Sequence, residues 1–214
     1  WFVLPSGQTV RFSASGNWAF PAGAITVKHF DLNGTRVETR VMVNRADGWA
    51  GYTYRWRADN SDADLVAAGG ASGTYGSVTW NFPSRTQCMS CHTAVTGRVL
   101  GLNTRQFNRS HGYAATGRSD NQLRTLNHIG VFSSDIGGAG QYGTMPDPRD
   151  GAASLQDRAK AYLDSNCSIC HQPNGPTPVS MDLRYATSLA DMRLVGVTTE
   201  TASGAGALRV APGN

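Results

Sequence analysis

Two segments of five residues, Cys88-Met89-Ser90-Cys91-His92 and Cys167-Ser168-Ile169-Cys170-His171, contain all 4 cysteines of the 214-residue chain. Both have the spacing C-x-x-C-H. In this spacing one helical turn presents two thiols to one porphyrin edge, and the next residue offers an imidazole to the iron. The pattern predicts two covalently attached haem c groups. Cys88 and Cys91 are predicted to hold the first haem, with His92 as its iron ligand. Cys167, Cys170 and His171 are predicted to do the same for the second.

The four cysteines leave two other interpretations open. Two C-x-x-C pairs can bind one zinc ion, or they can act as redox dithiols or disulfides. A histidine directly after both pairs favours haem, because the chain has only 5 histidines among 214 residues. Neither pair lies in a βαβ pattern, which would be expected of a thioredoxin-like dithiol.

Residues 1–82 have the pattern of a β-rich domain. Short apolar and aromatic runs, at 24–30, 36–43, 49–56 and 78–80, are separated by the turn signals Asn33-Gly34 and Asp47-Gly48. All 5 tryptophans lie in this part of the chain. We expect these large aromatic side chains to fill the core of a small sandwich rather than to form a sugar-binding surface.

After residue 82 the pattern changes to short helical segments between loops rich in glycine and proline. Apolar residues at three-residue spacing predict a helix over 121–132, with Asp120 as its N-cap. A second helix is predicted over 154–166, leading into Cys167. Ser154 is its predicted N-cap, because Ser154 followed by Asp157 resembles a capping box. The sequence thus predicts an α+β fold. It would have an N-terminal β-sandwich-like domain over 1–82 and two mainly α cytochrome c-like haem units over 83–150 and 151–214. The second unit is expected to be truncated at its C-terminus.

The far side of the first haem iron needs a second ligand if the protein carries electrons. Met145 is the leading candidate, because it lies in the rigid loop Gly143-Thr144-Met145-Pro146-Asp147-Pro148. Small cytochrome c domains place a Met-Pro loop at about this distance after the proximal histidine. His128 on the predicted helix is the main rival, and His111 and His29 are weaker ones.

The distal ligand of the second haem is left open by the sequence. Met181 and Met192 are two candidates. Met181 follows His171 so closely that its loop can hardly reach around a porphyrin, whereas Met192 is possible but cramped. We therefore expect the ligand to lie beyond Asn214. His128 or a residue of another subunit are the remaining alternatives.

Charge and hydropathy exclude several classes of function. The formal net charge is +4 with no run of lysine or arginine, so nucleic acid is not an expected partner. No apolar stretch is long enough to span a membrane. Gly-x-Ser-x-Gly elbows and phosphate-binding loops are also missing from the sequence. Covalent haem attachment takes place outside the cytoplasm, so we expect an exported, periplasmic or extracellular protein.

Several stretches together resemble a family of exported bacterial dihaem c-type cytochromes of poorly defined function. The resemblance implies an N-terminal β domain, two cytochrome c-like units, and residues missing before Trp1 and after Asn214. Some relatives are joined or linked to quinone-dependent sugar-dehydrogenase domains, which implies such a dehydrogenase as a redox partner. The resemblance is carried by Phe20–Gly23, Glu38–Arg40, Gly48–Tyr52, Pro83–His92, Val99–Gln106, Asn121–Leu123, His128–Gly130, Asn166–His171 and Met181–Arg184.

These observations predict an electron carrier between periplasmic or extracellular redox partners. They favour a carrier over an enzyme. A dihaem peroxidase-like enzyme is the main alternative, because an iron without a sixth protein ligand can bind peroxide. A subunit of a conductive multihaem assembly is the other alternative, and it implies an oligomer.

Overall fold

A computed structural model describes residues 1–199, 206–211 and 213 of the chain. Its largest element is a five-stranded antiparallel sheet with the order β1-β2-β3-β4-β5. The strands are β1 (Phe2–Val3), β2 (Ile25–Leu32), β3 (Thr35–Arg45), β4 (Gly48–Trp56) and β5 (Ala63–Leu65). Each strand therefore pairs with its neighbour in sequence, so the sheet is a meander.

Two tight turns set the register of the three long strands. Asn33 and Gly34 adopt positive φ angles of 51° and 81° between β2 and β3, which is the conformation that a two-residue hairpin turn requires. Gly48, with φ of 115°, starts β4 immediately after the second turn. Val41 pairs with Val27 on one side and with Tyr52 on the other, so these side chains share one face of the sheet.

Two separate hairpins complete the β structure of the described residues. Strands β6 (Ala71–Tyr75) and β7 (Val78–Phe82) form the first, and β8 (Ser110–Tyr113) and β9 (Arg118–Asn121) form the second. The β8–β9 hairpin lies inside the segment for which a mainly α unit is predicted.

The described helices are short. They are α1 (Arg85–Cys91), α2 (Thr104–Phe107), α3 (Gln122–His128) and α4 (Leu155–Asn166), with one 3₁₀ turn at Ala139–Gln141. A capping box between Ser84 and Gln87 starts α1, and the Ser154 hydroxyl caps α4 by accepting from the backbone N–H of Asp157 at 3.1 Å. The predicted N-cap at Ser154 is therefore confirmed.

The predicted fold class is wrong. An α+β protein with a β-sandwich-like domain and two mainly α cytochrome c-like units was expected, but the described residues are mostly β, with helices of 7, 4, 7 and 12 residues. The helix predicted over 121–132 ends at His128, because Gly130 adopts a positive φ of 74°. Its cap is Asn121 rather than Asp120, which pairs in β9 instead.

The main hydrophobic cluster joins residues from both sides of position 82. Val10, Trp18, Phe20 and Ala24 pack with Val99, Leu123, Phe132 and Ile136. Trp18 is fully buried, and its indole N–H donates to Thr104 Oγ1 at 2.9 Å. Trp1 is 87% exposed, so the expectation that all tryptophans lie in the core is wrong for this residue. The division into units at 1–82, 83–150 and 151–214 stays a prediction.

The prediction that the chain lacks a membrane-spanning segment agrees with the structure. Among the residues described, no helix has both the length and the apolar character needed to cross a bilayer.

Candidate haem-attachment site

The first C-x-x-C-H motif lies on a single helical turn. Cys88 and Cys91 are both in α1, three residues apart, and His92 is the C-cap of that helix. The backbone N–H of His92 donates to the carbonyl oxygen of Cys88 at 3.1 Å. This places the two thiols and the imidazole at adjacent positions around the end of one helix, as attachment of a haem through both cysteines requires.

The ring of His92 is oriented by a backbone carbonyl. His92 Nδ1 lies 2.6 Å from the carbonyl oxygen of Arg98. Because a carbonyl oxygen can only accept, Nδ1 is the protonated nitrogen, and the lone pair of Nε2 is left available for a metal. Burial lowers the pKa of His92, with Arg40 and Lys28 lowering it further. The neutral form, which is the metal-binding form, is therefore favoured.

The thiol of Cys88 is packed against the large sheet. Cys88 is 8% exposed, and burial raises the pKa of its thiol. A Cβ atom placed on Gly51 would lie 2.6 Å from Cys88 Cβ and 2.9 Å from Cys88 Sγ. Strand β4 and helix α1 can approach this closely only because position 51 has no side chain. A glycine inside a strand is the sequence signal for such a close approach.

Replacing Gly51 with alanine is expected to displace α1 from the sheet and to lower haem occupancy at the first motif. Overpacking of this kind costs about 2 kcal/mol of unfolding free energy. Mass spectrometry of the proteolytic haem peptides measures occupancy at each motif separately. The matched control is Gly69→Ala, since a Cβ there meets no atom within 4 Å. Equal occupancy in both variants would contradict the packing described here.

The second motif also forms a helical turn. Helix α4 ends at Asn166, and Cys167 is its C-cap. The backbone N–H groups of Cys170 and His171 both donate to the carbonyl oxygen of Cys167, at 3.1 and 2.9 Å. The Nδ1 atom of His171 is buried, and no hydrogen-bond partner for it exists among the described residues. Among the residues described, this imidazole therefore lacks a backbone acceptor of the kind that Arg98 provides for His92.

Gly175 closes the turn that carries the second motif. A Cβ atom at this position would overlap the carbonyl oxygen of Cys170 and lie 2.9 Å from that of Gln172. Both are backbone atoms, so a side chain at position 175 cannot be accommodated by moving a flexible neighbour. Gly175 is therefore a supporting residue of the motif that the sequence analysis missed.

The variant Gly175→Ala is expected to lose haem at the second motif while the first motif keeps its haem. The backbone of Cys170 must move to admit the new methyl group, which shifts its thiol away from the attachment geometry. The same haem-peptide measurement reports the result. Gly151→Ala serves as the control, because a Cβ there meets nothing within 4 Å. Loss of haem from both motifs, or from neither, would contradict this account.

A cleft of about 960 Å³ lies between the segments that follow or contain the two motifs. Residues 94–97, directly after His92, line it from one motif, and Ser168 and Ile169 line it from the other. This volume is at the upper end of the range for cofactor and ligand pockets. Neither His92 nor His171 is among the residues that line the cleft.

Positive charge lies close to the first motif on the face of the sheet beneath α1. Lys28 and Arg40 are cross-strand partners on β2 and β3, and both act on the pKa of His92. Arg40 also forms a two-point ion pair with Glu38, at 2.7 and 3.0 Å, and Glu38 is completely buried. The indole N–H of Trp80 donates to the same carboxylate at 3.0 Å. The ion pair and the hydrogen bond therefore fix the positions of the Arg40 and Glu38 charges on this face of the sheet.

The loop that carries Met145 is held by α2 and its C-cap. Asn108 Nδ2 donates to the carbonyl oxygens of Tyr142 and Gly143, at 2.8 and 3.4 Å, and Arg105 Nη1 donates to that of Thr144 at 3.2 Å. Met145 itself is partly buried. In the part of the chain that the structure describes, no hydrogen bond or ion pair joins this loop to the first motif. Met145 as an iron ligand stays a prediction.

The other candidate ligands are dispersed. His128 ends α3 beside a separate surface pocket, and His111 stacks edge-on against Tyr113 in β8–β9. His29 lies in β2 and contacts Thr39 Oγ1 through Nδ1 at 2.7 Å. Met181 is partly buried and Met192 is completely buried. Two backbone hydrogen bonds, from Leu183 to His171 and from Asp182 to Met192, place Met192 close to the second motif.

The donor sets of the two motifs are compatible with haem c. Within residues 1–199, 206–211 and 213, no three histidine, cysteine, aspartate or glutamate side chains are grouped so as to hold a metal ion. The four cysteines thus do not form a four-sulfur zinc site. A haem iron takes four ligands from its porphyrin, so it needs only one or two protein side chains. The two cysteine pairs are unoxidised thiols, as attachment requires.

Comparison with known proteins identifies no relative: no family model, no curated protein and no solved structure matches this chain.

Proposed function

We propose that this protein is a dihaem c-type cytochrome that transfers electrons between redox partners in the periplasm or outside the cell. The observation that carries the proposal is the arrangement of the first motif. Two thiols lie on one helical turn, and Arg98 orients the following histidine so that Nε2 is free. Haem c supplies a one-electron iron couple when it is attached.

The chain's own residues have distinct roles in this proposal. Cys88, Cys91, Cys167 and Cys170 bind the porphyrins covalently, and His92 and His171 bind the irons. The Arg98 carbonyl fixes the tautomer of His92 and increases its basicity as a ligand. Lys28 and Arg40 oppose additional positive charge near His92, so they favour the reduced over the oxidised state of the first centre.

We propose membership of the exported dihaem cytochrome family on the resemblance of its motifs, and a quinone-dependent dehydrogenase as electron donor on the same ground. A mildly basic chain of net charge +4 can dock an acidic partner surface. The proposed donor is tested by reduction of the purified protein by such a dehydrogenase. An unchanged oxidised spectrum would reject this donor.

Optical spectroscopy tests whether the protein is an electron carrier or a peroxidase. The full chain is produced in a host with a cytochrome maturation system, and the same chain from a host without that system is the control. We expect low-spin c-type bands on reduction and a weak methionine–iron absorption on oxidation. Peroxide turnover with a reduced cytochrome as donor would instead support the dihaem peroxidase.

A further inference from the structure

The second cysteines of the two motifs lie next to each other. Cys91 is the last residue of α1, and Cys170 is in the turn that follows α4. The Cys170 thiol interacts with the Cys91 thiol through a side-chain contact. The two motif segments also border one cleft, which is lined by residues 94–97 after the first motif and by Ser168 and Ile169 of the second. Cys91 and Cys170 are 79 positions apart in the sequence, so only the tertiary fold brings them together.

Independent contacts hold the two motif segments in this arrangement. Gln106 of α2 donates from Nε2 to Asp164 Oδ1 of α4 at 3.4 Å. The other carboxylate oxygen of Asp164 accepts from the backbone N–H of Tyr185 at 2.8 Å. Arg105 lies over the ring of Tyr185 at 5.6 Å. Asp164 therefore ties α2, α4 and the segment after the second motif together along one wall of the cleft.

We propose that Cys91 and Cys170 set the two haems of this protein side by side, with the porphyrin edges bound by these two cysteines adjacent to each other. The proposal rests on the proposed function, because it concerns how the two attached groups are related. It adds that the chain contains a complete internal route: an electron that enters at one motif reaches the other within the same molecule. One centre is oxidised and the other reduced, with no bond formed or broken and no proton moved.

The chemistry of the motif leads from adjacent thiols to adjacent porphyrins. Each cysteine of C-x-x-C-H forms a thioether to a vinyl carbon at the edge of its porphyrin. Two thioether sulfurs in contact therefore leave only a short gap between the two macrocycles. Cys88 is excluded from this contact, because its side chain is packed against Gly51 of β4.

Circular dichroism of the holoprotein in the Soret region measures the expected coupling. Two porphyrins at adjacent edges interact as transition dipoles, so the spectrum is expected to differ from the sum of the spectra of two single-haem variants. These variants are Cys88→Ala/Cys91→Ala and Cys167→Ala/Cys170→Ala. Signal independent of protein concentration assigns the coupling to one chain. A protein with two haems and a simply additive spectrum would overturn the proposal.

A cross-linking experiment tests the thiol contact without any haem. The full chain is produced without haem as Cys88→Ser/Cys167→Ser, which keeps Cys91 and Cys170, and is treated with oxidised glutathione. The two thiols lose two protons and two electrons to the reagent, forming one S–S bond and two molecules of reduced glutathione. The matched control is Cys91→Ser/Cys170→Ser, which keeps the other two cysteines.

Peptide mapping is expected to find an intramolecular Cys91–Cys170 link in the first variant and none in the control. Equal cross-linking in both, or none in either, would overturn the proposed adjacency. The two failures are distinguishable. A chain that never acquires haem but forms this link refutes the proposed function and keeps the thiol contact. A chain with two uncoupled haems and no link refutes the adjacency alone.

Discussion

Replacing Cys88 and Cys91 together with alanine is expected to reduce the haem content from two per chain to one. Both thioether bonds of the first group are lost, and His92 alone cannot hold a porphyrin covalently. The remaining haem is expected on Cys167 and Cys170. Intact mass after denaturation counts the attached groups, because only covalently bound haem stays with the polypeptide.

Two further variants make this result specific. Cys167→Ala/Cys170→Ala is expected to give the reciprocal loss, with the first motif still loaded. Ser90→Ala changes an exposed residue inside the first motif and is expected to keep both haems. Two haems remaining in either cysteine variant would show that at least one motif is not an attachment site.

The second large effect is expected from Arg40→Met, which removes the cation paired with Glu38. Glu38 has no exposed surface, and its carboxylate accepts hydrogen bonds from Arg40 and Trp80. Without Arg40, a carboxylate is left buried and unpaired, which costs about 3 kcal/mol of unfolding free energy. This is the lower end of the range for buried pairs, because the Arg40 side chain is 37% exposed. Denaturant unfolding of the purified protein measures the change.

Two control variants distinguish the effect of leaving the Glu38 carboxylate unpaired from the effect of losing the Arg40 side chain. Arg40→Met/Glu38→Gln leaves no buried charge, and we expect it to recover much of the lost stability. Arg45→Met breaks an ion pair with Asp47 on the exposed end of β3 and is expected to change stability little. If Arg40→Met behaves like Arg45→Met, the pair with Glu38 contributes nothing to folding.

The N-terminal strands were predictable from local sequence. Runs predicted at 24–30, 36–43 and 49–56 correspond to Ile25–Leu32, Thr35–Arg45 and Gly48–Trp56, because Asn33-Gly34 is a strong turn signal and the strands have alternating patterns. The helix predicted over 154–166 is found at Leu155–Asn166, since its hydroxyl cap is local to the sequence.

The errors occurred where tertiary context decides the structure. Residues 110–121 form a hairpin that has weak alternation in the sequence, and Asn121 both ends that hairpin and caps α3. The main cluster packs Trp18 from the N-terminal part against Phe107 and Phe132, which no local pattern predicts. The helical content after residue 82 is therefore lower than the sequence pattern predicts.

The candidate site likewise combines residues that the sequence predicts with features that only the folded structure shows. The six cysteine and histidine residues of the motifs are predicted from their C-x-x-C-H spacing alone, and their role in haem attachment stays a prediction. The carbonyl of Arg98 beneath His92, the absence of a side chain at Gly51 and Gly175, and the contact between Cys91 and Cys170 depend on three-dimensional packing. Only Gly51 carried a usable signal, as a glycine within a strand.

Intact mass spectrometry of the denatured full chain, made in a host with a cytochrome maturation system, is the most direct test of covalent haem at both motifs. We predict a single species heavier than the polypeptide by two haems, with the added mass on the peptides containing Cys88–His92 and Cys167–His171. A colourless protein with the unmodified polypeptide mass would contradict the account.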